Sequence, residues 1–520
     1  MATLASTSLV ALVGSLVIYL LIRLFQSAKH DLPLPPGPKG LPLLGNVNDL
    51  PKPGMTEWQH WLPHKDLYGP VSSVTVLGQT FIIISDAAIA LQLLRDRANI
   101  HSGRPVMIFG GEMIGWKNTL AMQQPDETFK SYRKNMAKVA SSAATLSVFD
   151  RVQEEESAHF LSNMLESPNK LFDHIRMEAG AVILRITYGY TPKSNGKDPL
   201  VDRVGQAMAS FADATTPGKY AVDVFPVLRY LPEWLPGTGF KAKARRLAEH
   251  LDHTAEIPYA FVKKQMREKK DKMSYVSQAI GEVGSDAYLE KVLKWSATSL
   301  YTGGADTTVS SLMTFFLAMA LFPDVQKKAQ EEIDRAIGND RLPVSSDKDS
   351  LPYIWATVKE THRWHPVVPM AIPHCASEED TIRGYRIPKG SILIPNTWWF
   401  THDPAVYPEP EKFNPARFLS DTPNPDPRTY TFGYGRRVCP GRYVADNALI
   451  ITIAQVLAVF TISKHPDEPN PVVAFEPGIV SHPLPYQVSV KPRNEGAERL
   501  IRKSGEVWPL GRSDEGELVI

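Results

Sequence analysis

Apolar positions along this chain change period several times, and each change marks an element. Ala2 to Ile22 carries no charged side chain and is rich in leucine, valine and alanine. At about 1.5 Å rise per residue such a stretch reaches roughly 30 Å, the thickness of a bilayer core. Arg23 and Lys29 follow it, and no Lys or Arg precedes it, so its C-terminal flank is predicted to stay cytosolic. A cleaved signal peptide starts basic and has a shorter apolar stretch, so the pattern predicts a retained single-pass anchor over residues 1–25. The prolines of Leu32 to Leu41 favour a stiff, extended path, here read as a hinge over 26–45 that holds a body off the membrane.

Within the body, Val71 to Ser85 has two β-branched runs broken by Leu77-Gly78-Gln79, the signature of a hairpin. Helical spacing follows over Asp86 to Arg95. It returns over Leu289 to Phe322, Trp355 to His365 and Tyr443 to Phe460. Arg104 to Lys117 is rich in glycine and methionine without clear period and reads as a loop. From Arg493 onward the chain turns polar and charged, which predicts a loosely ordered tail, 496–520. The fold class expected is mainly α with a smaller β region, with the body spanning 46–495.

Composition narrows the partners. The chain has 57 basic and 56 acidic residues, net +1, so no global field argues for nucleic acid. Its two cysteines, Cys375 and Cys439, lie in very different contexts and exclude a disulfide framework. The 43 prolines are spread along the chain, which suggests many fixed turns rather than one linker.

Cys439 sits in Phe432-Gly-Tyr-Gly-Arg-Arg-Val-Cys-Pro-Gly441, with two arginines beside it and an apolar helical run after it. Nearby cations and a helix N-terminus favour a thiolate, the form that binds metal or attacks. Upstream, Gly303-Gly304-Ala305-Asp306-Thr307-Thr308 interrupts a helical pattern. Two glycines inside a helix cost about 1 kcal/mol each relative to alanine. Asp and Thr beside them suggest a local opening where a hydroxyl and water replace backbone bonds and carry protons. Glu360 and Arg363 are three apart and share a helix face.

The spacing of Phe432, Gly435, Arg437, Cys439 and Gly441 resembles the haem-binding loop of the cytochrome P450 superfamily at every fixed position. Gly303 to Thr307 is similar to that family's oxygen-activation helix. Pro408 to Phe418 resembles the element whose arginine, here Arg417, completes a Glu–Arg–Arg lock with Glu360 and Arg363. The resemblance covers nearly the whole chain, with its elements in family order. It implies a cytochrome P450 fold, haem b (iron protoporphyrin IX) as cofactor and Cys439 as the axial iron ligand. It further implies Asp306 and Thr307 as the acid–alcohol pair that serves proton delivery, and Phe432, Arg437 and Gly441 as parts of the haem bed. Arg133 and His374 match positions that contact haem propionates, while Phe129 stands where the family usually has tryptophan. Val367 to Met370 would wall the haem, and Gly478 to Pro483 would supply a late pocket residue.

The activity so implied is insertion of one oxygen atom from O2 into a lipophilic small molecule, in the manner of fungal secondary-metabolism hydroxylases. No nicotinamide or flavin site is evident in the sequence, so electrons are expected from NADPH through NADPH–cytochrome P450 reductase. The same resemblance implies an endoplasmic-reticulum membrane protein with a cytosolic catalytic domain in contact with lipid. A haem-thiolate isomerase or dehydratase that needs no reductase and a non-catalytic haem- or sterol-binding protein are the alternatives; retention of Asp306 and Thr307 argues against both.

Overall fold

The computed structural model describes residues 32–52, 54–140, 147–193 and 196–519. The expected anchor over 1–25 lies outside them. The hinge is described from Leu32 onward, and it is no free spacer. Ser73 donates its N–H to the Pro36 carbonyl at 2.9 Å and its hydroxyl to the Pro35 carbonyl at 2.6 Å. A Cβ on Gly37 would lie 1.9 Å from the Ser73 carbonyl oxygen, so this close approach of extended chain to sheet requires glycine.

The expected hairpin forms: β1 (Val71–Val76) pairs antiparallel with β2 (Gln79–Ile84), Val71 opposite Ile84. Leu77 and Gly78 make the turn with positive φ. β3 (His374–Cys375), β4 (Asp380–Ile382), β5 (Tyr385–Ile387) and β6 (Ile392–Pro395) come much later in the chain. β6 pairs parallel with β2 and antiparallel with β3, giving a four-stranded sheet in the order β1-β2-β6-β3. β7 (Phe460–Lys464) and β8 (Val488–Pro492) form a separate ribbon.

Helices make most of the rest. The long ones are α1 (Glu127–Ala140), α2 (Asp150–Glu166), α3 (Leu171–Tyr188), α4 (Pro199–Ala214), α5 (Gly239–Arg267), α6 (Ala287–Leu321), α7 (Pro323–Ala336), α8 (Pro352–Trp364), α9 (Arg442–Val459) and α10 (Glu495–Val507). The segment read as a loop, Arg104 to Lys117, contains a π-helical stretch, Ile108–Ile114, packed on α5. α10 replaces the expected loose tail. Asn494 caps it through the Ala497 N–H, and it buries Ala497, Ile501 and Ser504 against α2. Apolar residues four apart, 497 and 501, share one stripe amid charges, and that stripe is hard to see in so polar a segment.

α6 organises the molecule. Its first half, from Val292 to Tyr301, is buried in one core with α1, α3, α4 and α5. Its second half, from Val309 to Ala320, is buried in another with α2, α8 and α9. Residues 303–308 belong to neither core's buried set and are partly exposed. α6 and α9 are long and apolar enough to cross a membrane, but two thirds of each apolar window is buried in the protein, so both are core helices. The fold thus leaves a half-open band across its longest helix.

Candidate active site

The cysteine loop is shaped by close approaches. Gly433 and Gly435 have φ of +81° and +50°, which glycine adopts without strain. A Cβ on Gly435 would also stand 2.5 Å from the Leu94 carbonyl oxygen, so the loop presses on the helical turn Gln92–Asp96. The Cys439 N–H donates to the Phe432 carbonyl at 2.8 Å, closing the loop. The Phe432 ring meets His362 edge-on, with centroids 5.1 Å apart. Tyr434 is buried beneath, its hydroxyl 3.1 Å from that of Thr397. Gly441 precedes α9 with an ordinary φ of −86°, and a Cβ there would only touch the sulfur at 4.0 Å.

Cys439 is half-buried. Burial pushes its thiol pKa up, while the Gly441 N–H and the Arg133 guanidinium pull it down without prevailing. Cys375 is a packed thiol on β3, also pushed up by burial.

Four cationic or ionisable side chains converge beside this loop. Arg437 is buried; its fork donates to the carbonyls of Ser102, Leu120 and Gln123 at 2.8, 3.3 and 2.7 Å. It stacks 4.2 Å over the Phe129 ring, so phenylalanine there serves as its platform. Burial and the charge of Arg133 push its pKa down to about 10; it remains a cation at neutral pH. Arg133, half-buried, donates to the Val438 carbonyl at 2.8 Å. His374 donates Nδ1–H to the His101 carbonyl at 2.7 Å, and its Nε2 makes no hydrogen bond among the described residues. Burial, then the charge of Arg104, holds His374 neutral, well below the usual histidine range.

Arg104 was not singled out from the sequence. It is buried and donates to the carbonyls of Ala121, Ile372 and Pro373 at 2.8, 2.7 and 2.8 Å. Its only sequence signal is a cation at the head of a largely apolar, glycine-rich stretch. None of Arg104, Arg133 and Arg437 forms an ion pair with a carboxylate among the described residues, which distinguishes them from the buried arginines Arg363 and Arg417.

Asp306 and Thr307 lie on the half-open band of α6. The helix there is not interrupted as its sequence suggests: it runs unbroken from Ala287 to Leu321. The Thr307 hydroxyl donates to the Gly303 carbonyl at 2.7 Å, a back-bond that shares the ladder rather than opening it. The two glycines have different reasons. A Cβ on Gly304 would lie 2.8 Å from the Ile183 side chain of α3, whereas one on Gly303 would meet nothing within 4 Å. Gly304 therefore serves packing, while the space beside Gly303 is open. Asp306 bonds neither to Thr307 nor to the cysteine loop; its Oδ1 is 3.1 Å from Nε2 of His482, a second residue missed from the sequence.

The expected lock is present. Arg363 donates Nε and Nη2 to Glu360 at 2.8 and 2.9 Å, and Arg417 donates Nε to Glu360 at 3.2 Å. Spare donors reach the carbonyls of Thr401, Lys412 and Pro408.

The donor set suits a flat iron-bearing macrocycle with two acidic arms. It offers a sulfur at a helix start and, among the described residues, largely covered cations without a carboxylate partner. Comparison with known proteins agrees. The family model for cytochrome P450 matches residues 35–490. The chain is 47% identical over 482 residues to cytochrome P450 monooxygenase claR of Ampulloclitocybe clavipes, covering 91% of this chain and 89% of the relative. It is 43% identical over 518 residues to cytochrome P450 monooxygenase CLM2 of Gibberella zeae, 97% of each. It is 37% identical over 518 residues to O-methylsterigmatocystin oxidoreductase of Aspergillus flavus, 98% of each. The chain belongs to the cytochrome P450 family, as a monooxygenase and hence an oxidoreductase.

Proposed function

We propose that the protein is a haem-thiolate monooxygenase that places one oxygen atom from O2 into a lipophilic small molecule of fungal secondary metabolism. The buried cations Arg104 and Arg437 and the half-buried Arg133, without carboxylate partners among the described residues, carry this reading. Haem b supplies the redox chemistry and oxygen activation when bound. Cys439 would ligate its iron, which removes the thiol proton that burial otherwise favours. Arg133, Arg437 and Arg104, with His374 through Nε2, would hold the propionates by charge-assisted hydrogen bonds. Phe432 and Gly441 would shape the bed around the sulfur. Asp306 and Thr307 would move protons on the opposite side, and the apolar wall would exclude water.

Electrons would come from NADPH through NADPH–cytochrome P450 reductase. Residues 1–25 would hold the protein on the endoplasmic-reticulum membrane, with the catalytic domain cytosolic. Phe225, Val227, Tyr230 and Trp234, the last 79% exposed, cluster on one surface stretch and suit contact with lipid. The substrate would be a lipophilic molecule such as a terpenoid, polyketide or indole.

The test is spectroscopic. The reduced protein with carbon monoxide should show the red-shifted band of thiolate ligation, and Cys439→Ser should abolish it. A band that survives in Cys439→Ser would show that another group is the ligand.

A further inference from the structure

His482 is fixed on Asp306 by a loop that has almost no freedom. Ser481, its neighbour, is fully buried and held at four points. Its N–H donates to the Val367 carbonyl at 2.9 Å, and its hydroxyl donates to the Glu476 carbonyl at 2.8 Å. Its carbonyl accepts from the Ser310 hydroxyl of α6 at 2.6 Å, and its hydroxyl oxygen lies 2.9 Å from Nε2 of His365. The Glu476 N–H closes the turn by donating to the His482 carbonyl at 2.8 Å. Ser310 is one helical turn beyond Asp306, so the bond that anchors the loop sits directly beside the carboxylate it serves.

The imidazole then bridges two acids. Its Nε2 meets Asp306 Oδ1 at 3.1 Å, and its Nδ1 lies 3.9 Å from Glu476 Oε2. Exposure rises along this line: the Asp306 and His482 side chains are mostly covered, while that of Glu476 is 51% exposed. Arg176 of α3 and the buried His365 are the other titratable groups that face the ring.

From this geometry we infer that His482 is a positioning residue for the reaction, passing solvent protons from Glu476 to Asp306. The inference rests on the proposed monooxygenase function. One proton leaves Nε2 for Oδ1, giving neutral imidazole and a neutral carboxyl that can hand the proton on past Thr307. Glu476, recharged by water, returns a proton to the ring, which rotates about Cβ–Cγ to face each acid in turn. No electron moves in this relay. Burial works against a protonated ring here, but the hydrogen bond and charge of Asp306, with the charge of Glu476, outweigh it and raise the His482 pKa.

The test needs no substrate. The haem-loaded protein, reduced by NADPH and reductase, consumes O2 on its own. Forming peroxide uses one NADPH per O2, and forming water uses two, so the ratio reports how well protons reach the site. His482→Gln keeps a hydrogen bond to Asp306 but carries no exchangeable charge. It should leave the carbon-monoxide band intact and slow water-forming turnover roughly tenfold, less than the 10²–10⁴ that a general acid supplies directly. His482→Arg keeps the ion pair yet cannot release a proton, so it should be as impaired as His482→Gln. Asp306→Asn with His482→Gln should add little to Asp306→Asn alone.

A second readout is independent of turnover. Histidine-labelled NMR of the diamagnetic ferrous carbon-monoxide form should find the His482 ring titrating above the ordinary ~6.5, and lower in Asp306→Asn. Wild-type stoichiometry in His482→Gln, full rescue by His482→Arg, or a ring pKa indifferent to Asp306 would each overturn the relay. A wild-type protein without the thiolate band would instead overturn the proposed function, and the relay with it.

Discussion

Two groups of buried charge in this molecule follow opposite rules. In the Glu360–Arg363–Arg417 lock, one carboxylate accepts three bonds from two guanidinium groups, and a fourth comes from the Asn414 N–H at 2.7 Å. Both cations share that one counter-charge, and their remaining donors meet carbonyls. Around the cysteine loop, Arg104 and Arg437 are also buried but meet carbonyls alone. Arginine cannot shed its proton at neutral pH, so such cations keep their charge and with it a demand for an anion. A complete lock does structural work; an incomplete one marks where an acidic ligand belongs.

Breaking the lock should have the largest effect. Glu360→Ala strands two buried guanidinium groups, for which the expected cost is about 3–5 kcal/mol. Urea denaturation of the haem-loaded protein should show a midpoint far below wild type. A midpoint shift too small to resolve would mean that the carbonyls suffice to hold Arg363 and Arg417. That would erase the contrast with the cysteine loop.

Removing a cation from the incomplete group should act on the ligand more than on the fold. Arg437→Met keeps the apolar stem over Phe129 and deletes the charge. Hydrogen bonds to a charged group contribute about 1.5–3 kcal/mol, so haem transfer to apomyoglobin should speed up about 10- to 100-fold. Arg363→Met in the lock should instead lower stability first. Equal haem loss from both variants would make the cysteine-loop arginine structural too.

The lock was legible in the sequence because its parts recur at fixed spacings: Glu360 and Arg363 three apart on a helix, with Arg417 in its proline-rich frame. The cysteine loop was legible for the same reason, with Gly435 needed both for its φ and for its approach to Leu94. Arg104 and His482 were not, because their meaning lies in partners far along the chain. Arg104 binds carbonyls about 270 residues away at 372 and 373, and His482 meets Asp306 across 176 positions. The break expected at Gly303-Gly304 does not form, because local propensity is overridden there by tertiary packing. Burial of both halves of α6 in two cores holds the ladder together, and only the side-chain face opens. α10 was missed because its buried stripe is three residues wide in a charged segment.

A lone buried acid offers the smaller and subtler contrast, since a carboxyl can do what arginine cannot. Glu178 of α3 is buried; it accepts from the Thr452 hydroxyl of α9, and among the described residues it has no ion-pair partner and its second oxygen no hydrogen bond. Burial pushes its pKa up from an ordinary 4.5 to about 8, against the pull of the Thr452 bond. The folded chain therefore keeps a proton that the unfolded chain releases above pH 4.5. Stability contributed by this site is full below 4.5 and falls as pH rises toward 8, with a slope of up to about 1.4 kcal/mol per pH unit. Glu178→Gln holds the same shape, still accepts from Thr452 and does not titrate. It should match wild type near pH 4.5, exceed it by a margin that grows through neutrality, and flatten the stability profile up to about pH 8. Denaturation midpoints at several pH values decide the matter: parallel curves for the two proteins would mean that Glu178 is ionised in the fold. A buried charge could then persist here without a partner, and the unpartnered arginines beside Cys439 would no longer call for an anion.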